Sequence, residues 1–236
     1  MYKNKIAVIC PTIRPEGLEI VQKALEKQTF TDFEWYVGSK FRPKCEWVNW
    51  VKDDFKGGVW TLNRTMNALV KVVDAPLIVS WQDYTFGDDT LLERLWQRYN
   101  DNPKSLVSVL GNKYYGETFS LESWFDPRIT NIPFREVGFQ DVEWNLCSCP
   151  REALVKIGGF DSEMDQKFYG MDGFNVNERL KDLGYKFFVD GTVRTYSLMH
   201  GRVDDWDKKN GIYGPYQNHV KERKEKGQWP FLEYLK

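Results

Sequence analysis

Apolar residues fall into short solid runs alternating with stretches in which they recur at helical spacing. "KIAVIC" is a compact apolar run ended by Pro11, the pattern of a buried strand. In "PEGLEIVQKALEKQ", Leu18, Val21, Ala24 and Leu25 share one helical face, and Pro15 suits a first turn. "DFEWYVGS" reads as a second strand and the short aromatic "CEWVNWV" as a third. "GGVWTLNRTMNALVKVV" reads as a glycine turn feeding a helix, with Leu62, Met66, Leu69 and Val73 on one face. "PLIVSW" is a fourth strand. It runs into a loop carrying the isolated Asp83, followed by "DDTLLERLWQRYNDN", a helix with Asp88 and Asp89 at its start, where the helix dipole favours acids.

The second half alternates less regularly. "SLVSVLGNKYYG" predicts a strand, and residues 117–143 a long loop or small subdomain. "CPREALVKIGGFD" predicts a helix ended by Gly158 and Gly159. "GFNVNERLKDLGYKFFVD" predicts a helix ended by Gly184 and then a strand. "RTYSLMHG" predicts a further strand with His200 at its end. Residues 203–236 are polar and lysine-rich, and read as a tail, in part a solvated amphipathic helix, that packs through Trp229, Phe231, Tyr234 and Leu235. Strand–helix alternation predicts an α/β fold: a mixed, mainly parallel central sheet flanked by helices, in one domain with a C-terminal tail. In such sheets ligands sit beyond the carboxyl ends of the strands, so the loops after Cys10, Val37 and Trp81 are expected to meet in one cleft.

Composition narrows the functional classes. Of 236 residues, 42% are hydrophobic and 16% aromatic, enough for a real core rather than a disordered chain. A net charge of −1 gives no global field to draw in nucleic acid or membrane. The spacing of Cys147 and Cys149 is wrong for a metal knuckle, and all four cysteines are expected as free thiols in a reducing compartment. No apolar run nears the roughly 20 residues of a membrane span, and the chain begins directly in "KIAVIC", so a cytoplasmic protein without transmembrane association is expected.

Taken in order, "VICPTIRPEGLEIVQKALEKQTFTDFEWYV", "GGVWTLNRTMNAL", "LIVSWQDYTFGDDTLLERL", "REALVKIGGFD" and "GMDGFNVNERLKDLGYKFFVD" resemble the GT-A (Rossmann-like) glycosyltransferases, closest to glycosyltransferase family 2, over roughly residues 4–202. The resemblance implies a nucleotide-sugar-binding half at 1–100, an acceptor-binding half at 101–202 and a tail at 203–236. It implies an inverting transfer of a sugar, of the hexosyl or deoxyhexosyl class, from a nucleotide-diphosphate donor, a UDP-sugar foremost. The leaving diphosphate would be neutralised by a divalent cation, Mn²⁺ or Mg²⁺. Asp83 falls on the last acid of the family's D-x-D motif, and His200 on a late metal-ligating histidine. Asp172 falls on the general base that takes the acceptor's proton. The donor is expected against Pro11, Thr12, Arg14, Gly38, Asn63, Arg64, Gln82, Asp83 and Arg202, and the acceptor against Trp144, Met171 and Asp172.

Three positions depart from the pattern. Trp81 replaces the first acid of D-x-D, Gly38 stands where relatives carry a base-binding Asp, and Met171 replaces an acceptor-side Glu. The acceptor is left open among a glycan, a lipid-linked sugar, a protein and a nucleic acid with modified bases. The departures keep a non-catalytic nucleotide-sugar-binding module as a rival, with a nucleotidyltransferase on a similar sheet as a weaker one.

Overall fold

The computed structural model describes residues 2–56, 61–115, 119, 121–165, 171–199 and 213–235. The first half follows the predicted alternation: β1 (Ile6–Pro11), α1 (Leu18–Glu26), β2 (Phe33–Ser39), β3 (Asn49–Lys52), α2 (Leu62–Val72), β4 (Leu77–Trp81), β5 (Thr85–Gly87) and α3 (Leu91–Asp101). The second half adds β6 (Ser105–Tyr115), β7 (Leu121–Trp124), β8 (Phe134–Glu136), β9 (Leu146–Pro150), α4 (Arg151–Lys156), α5 (Asp172–Asp182), β10 (Lys186–Leu198) and α6 (Tyr213–Glu225).

The strands form one sheet in the order β3-β2-β1-β4-β9-β6-β10-β5, with β7 on β6 and β8 on β10. β1, β2, β3, β4, β6 and β10 run in one direction, and β9 lies antiparallel between β4 and β6. The architecture is therefore the expected mixed, mainly parallel α/β sheet flanked by helices. Alternate residues of each strand feed opposite faces, the consequence of a two-residue strand period. Ile6, Val8 and Cys10 pack with Leu77, Val79 and Trp81 under α1 and α3. Ala7, Ile9 and Ile78 pack with Met66, Leu69 and Val70 of α2 and with Leu154, Val176 and Leu180 on the other face.

Several elements differ from the sequence expectation. Cys149 and Pro150 end a strand rather than open a helix, and the helix that follows is only six residues long. The run "LCSCP" is too short and too small-sided to announce itself by periodicity, yet every residue of it is buried in the middle of the sheet. The third strand starts at Asn49 rather than Cys45. The two late strands are one, β10, whose pairing with β6 shifts register between Asp190 and Arg194. The expected loop at 117–143 contributes β7 and β8. All four cysteines are free, and among the described residues no helix is long and apolar enough to cross a membrane.

The C-terminal region packs against the body through Trp229, Tyr234 and Leu235, as expected, and also through one buried face of α6. α6 turns Tyr216, His219, Val220 and Arg223 inward, and the partly buried Met171, Phe174 and Trp229 pack against the cluster of Met164, Tyr216 and Val220. Leu232 is buried, and its N–H donates to the Ile157 carbonyl at 2.9 Å. Phe231, by contrast, is 49% exposed. Gly158 makes this docking possible: its φ is +71°, and a Cβ there would lie 1.7 Å from the Leu232 carbonyl oxygen. Gly158→Ala is expected to cost about 2 kcal/mol or more through left-handed strain and backbone collision. Thermal melting should show the loss as a fall in Tm.

Candidate functional site

The chain leaves β1 towards β2 and β3 on one side, then returns through α2 to β4 on the other. The loops after β1 and β4 therefore diverge, which is the switch point where open α/β sheets leave a crevice at their carboxyl edge. Thr12 and Arg14 enter it from β1, and Asp83 from β4. The Thr12 hydroxyl donates to Asp83 Oδ2 at 2.6 Å, and Arg14 Nη1 donates to both Asp83 oxygens at 3.1 and 3.2 Å. The Thr12 N–H donates to the Gly38 carbonyl at 2.9 Å, so the end of β2 joins the cluster. Asp83 is 3% exposed, and a carboxylate at that depth needs a cationic or hydrogen-bonding partner. Arg14 and Thr12 supply both. Pro11 ends β1 next to Thr12.

The loop that presents Asp83 is strained. Tyr84 has φ +58°, unusual for a bulky side chain. Its N–H donates to the Gly17 carbonyl and its carbonyl accepts from the Leu198 N–H. Its ring lies 2.6 Å from where a Gly17 Cβ would stand, so α1 approaches only because residue 17 has no side chain. Burial, with Glu16 beside it, pushes the Tyr84 phenol up to about 12. Before this turn, Trp81 is fully buried and its indole N–H donates to the Thr85 carbonyl at 2.9 Å. The position aligned with the first acid of D-x-D thus faces the core under α1 and α3, not the crevice. Gln82 is half-buried, its N–H donating to the Asn145 carbonyl.

Gly38 also has a packing reason. A Cβ there would lie 2.4 Å from Thr65 Cγ2 of α2, so no acid fits at this strand end. The carboxylate at this edge comes instead from Asp53, just past β3, which sequence reasoning missed. It is buried and accepts from the Thr61 and Thr65 hydroxyls at 2.7 and 3.1 Å. Asn63 and Arg64 do not join the Asp83 cluster through any described hydrogen bond. At the start of α2 they surround Asp165, whose Oδ1 accepts from the N–H and Nδ2 of Asn63, both at 2.9 Å, and whose Oδ2 lies 3.7 Å from Arg64 Nε. The anion position at this helix start is filled by the protein's own carboxylate. Burial outweighs those bonds and raises the Asp165 pKa.

Asp172 is the first residue of α5, with Met171 at the N-cap, so its carboxylate sits at the positive end of the helix dipole. Trp144 lies against the next residue of the helix: a Cβ on Gly173 would stand 2.4 Å from Trp144 Cδ1. The Trp144 indole N–H donates to Asn177 Oδ1 at 2.9 Å and its ring meets Phe160 edge-on, so much of this side chain is packing. Residues 144 and 145 form the seam between Asp172 and the Asp83 loop, since Ser80 Oγ donates to the Trp144 carbonyl and the Gln82 N–H to that of Asn145. Met171 packs with the C-terminal cluster around Tyr216. His200 and Arg202 lie outside the described residues.

A divalent cation at Asp83 would need several oxygen ligands. The described residues place one carboxylate, one hydroxyl and a guanidinium there, and the guanidinium already holds the carboxylate. Among the described residues no three His, Cys, Asp or Glu side chains converge to hold a metal ion. The described residues by themselves do not fit a divalent cation as they are arranged. Neither a scan against protein-family models nor a search of curated proteins finds a match to the chain.

Proposed function

We propose that the protein is an inverting glycosyltransferase, taking a sugar from a nucleoside diphosphate and passing it to an acceptor hydroxyl. The observation that carries this reading is the Thr12–Arg14–Asp83 cluster at the switch point between β1 and β4, where α/β sheets of this order bind nucleotides. The Asp172 carboxylate, at the start of α5 across the seam formed by residues 144 and 145, is the second element. In the transfer, the bond from the anomeric carbon to the diphosphate oxygen breaks as the acceptor oxygen bonds that carbon from the opposite face. The acceptor's proton passes to Asp172. Arg14 is the cation for the leaving diphosphate. Its guanidinium is permanently charged, carries five N–H donors and matches phosphate oxygens in pairs. Asp83 orients it, and Thr12 fixes Asp83.

A second reading is favoured by Trp81, Gly38 and the capture of Asn63 and Arg64 by Asp165, all of which are structural uses of motif positions. On that reading the chain binds a nucleotide-sugar without turnover.

A thermal-shift screen of nucleoside diphosphates tests the donor half. A ligand at about 100 times its Kd adds about 2.7 kcal/mol of stability. For a chain of this length that is a rise of roughly 5–10 °C in Tm. The rise is expected to be the same in EDTA and in Mn²⁺. It should shrink in a variant combining Arg14→Gln with Asp83→Asn, which removes the cation without stranding a buried carboxylate. If no nucleoside diphosphate shifts Tm, the donor reading is wrong. A shift seen only with Mn²⁺ would take the cation role from Arg14 and return it to a metal held with residues outside the described set, His200 among them.

A further inference from the structure

A second cleft opens beside the Asp83 loop, at the carboxyl ends of β6 and β10. The two share a wall: the Thr85 hydroxyl donates to the Asp83 carbonyl at 3.3 Å and pairs with the Ser197 hydroxyl at 2.7 Å, and both side chains line the cleft. Among the described residues, none of the sequence-predicted site residues lines it. Glu143 and Asn145 do, on either side of Trp144, whose ring turns away to Gly173 and Phe160.

The charges in this cleft cancel one another. Asp126 is fully buried and takes Arg128 in a two-pronged pair, Nε at 2.9 Å and Nη2 at 2.7 Å, with the Gly111 N–H also donating to it. Glu143 lies 3.6 Å from the same Arg128 and accepts from Asn145 Nδ2 at 3.2 Å. The Lys113 ammonium stands over the Trp124 ring, 5.2 Å from its centre. Two acids thus hold Arg128 while Lys113 lies over an indole, and an anionic ligand would have to compete with both carboxylates for the guanidinium. The groups left to meet a ligand are neutral. The Asn112 side-chain oxygen is buried with no hydrogen-bond partner among the described residues, and Trp124 is an exposed indole at the cleft wall. A buried amide acceptor is costly unless something bonds it, and an indole face takes up the C–H face of a ring. Hydroxyl, amide and carboxylate groups around one aromatic platform match a ligand made of adjacent hydroxyls on an apolar ring.

We propose that this cleft binds a neutral saccharide, with a sugar hydroxyl donating to Asn112 and the ring stacking on Trp124. This goes beyond the transfer reading, because it is a binding statement that holds with no nucleotide present.

Saturation-transfer NMR on the full chain, without nucleotide, tests it. The probes are the methyl glycosides of glucose, galactose, mannose and N-acetylglucosamine, each alone. At least one is expected to receive saturation from the protein. Trp124→Ala is expected to weaken that glycoside about tenfold. Asn112→Ala should weaken it too. Trp47→Ala, which removes an exposed indole far along the sheet beside Trp35, should leave binding unchanged. Thermal melting of each variant establishes that it folds, and Asn112→Ala carries the test if Trp124→Ala does not. Silence from all four probes overturns the proposal. So does binding that is equal in Trp124→Ala, Asn112→Ala and wild type, or displacement of the glycoside by inorganic phosphate, which would mark an anion site. The nucleoside-diphosphate shift is measured separately, so the donor reading stands or falls independently.

Discussion

Asp172→Asn is expected to lower turnover by about 10²–10⁴-fold, the usual contribution of a positioned general base. Nucleoside-diphosphate binding should survive, because the proposed donor residues Thr12, Arg14 and Asp83 lie at the other end of the 144–145 seam. The substitution keeps the size of the side chain at the first position of α5 and removes only its charge. The loss of its helix-dipole interaction is worth about 0.3–1 kcal/mol, too little to unfold the chain. Turnover of a nucleotide-sugar, followed by release of nucleoside diphosphate, and a parallel thermal shift separate the two effects. Lost donor binding with unchanged melting would move Asp172 into the donor site. Unchanged turnover would remove it from the chemistry altogether.

Asp161→Ala is expected to be the most destabilising of the substitutions considered, by about 3–5 kcal/mol, because it strands the buried Arg223 guanidinium. For a chain of this size that corresponds to a fall in Tm of about 10 °C. Asp161 is 2% exposed, and its oxygens meet His219 Nε2 at 2.8 Å, Arg223 Nη2 at 2.8 Å and Nε at 3.2 Å, and the Tyr234 hydroxyl at 3.1 Å. Three of these contacts reach back from α6 and one from the segment after it, so a single carboxylate clamps the C-terminal region to the turn after Gly159. The consequence extends to the site. α6 holds Tyr216, whose ring meets Phe174 edge-on and whose hydroxyl donates to Glu178 at 2.8 Å, both on α5. Loosening the clamp therefore loosens the helix that starts at Asp172.

The same carboxylate sets an acid limit. Burial alone would raise its pKa, but hydrogen bonds from His219 and Arg223 overcome that and bring it down to about 2. The folded-state value lies below the unfolded one, so this contribution is fully present above about pH 4 and is lost as pH falls towards 2. The amount is about 2 kcal/mol. Denaturation curves between pH 5 and 2, to the order of that window, should show the loss in wild type and a shallower one in Asp161→Asn. Equal slopes would mean that another acid governs acid unfolding.

The parallel half of the fold was legible because its signals are local. The apolar run before Pro11 and the 18/21/24/25 face of α1 need only near neighbours to be read, and so does the strand that delivers Asp83. β9 was not legible, because five small, wholly buried residues carry no period. Its place between β4 and β6 depends on two strands far from it in sequence. From sequence alone α6 reads as a solvated helix, because its charged residues dominate its pattern. Yet Arg223 and His219 are buried, a placement made tolerable only by a carboxylate 58–62 residues away.

At the site the division is similar. Sequence by itself determined that Thr12, Arg14 and Asp83 follow strand ends and that Asp172 opens a helix, since chain direction and hydrophobic period place a residue along its own element. Only the tertiary structure decided what each carboxylate faces. Asp83 meets Arg14 across 69 residues, and Asp165 fills the start of α2 across 102. Trp81 and Gly38 are explained by the helices packed against them rather than by a ligand. A buried charge has to find its counter-charge, and that partner is chosen by how the elements stack, which no local pattern encodes.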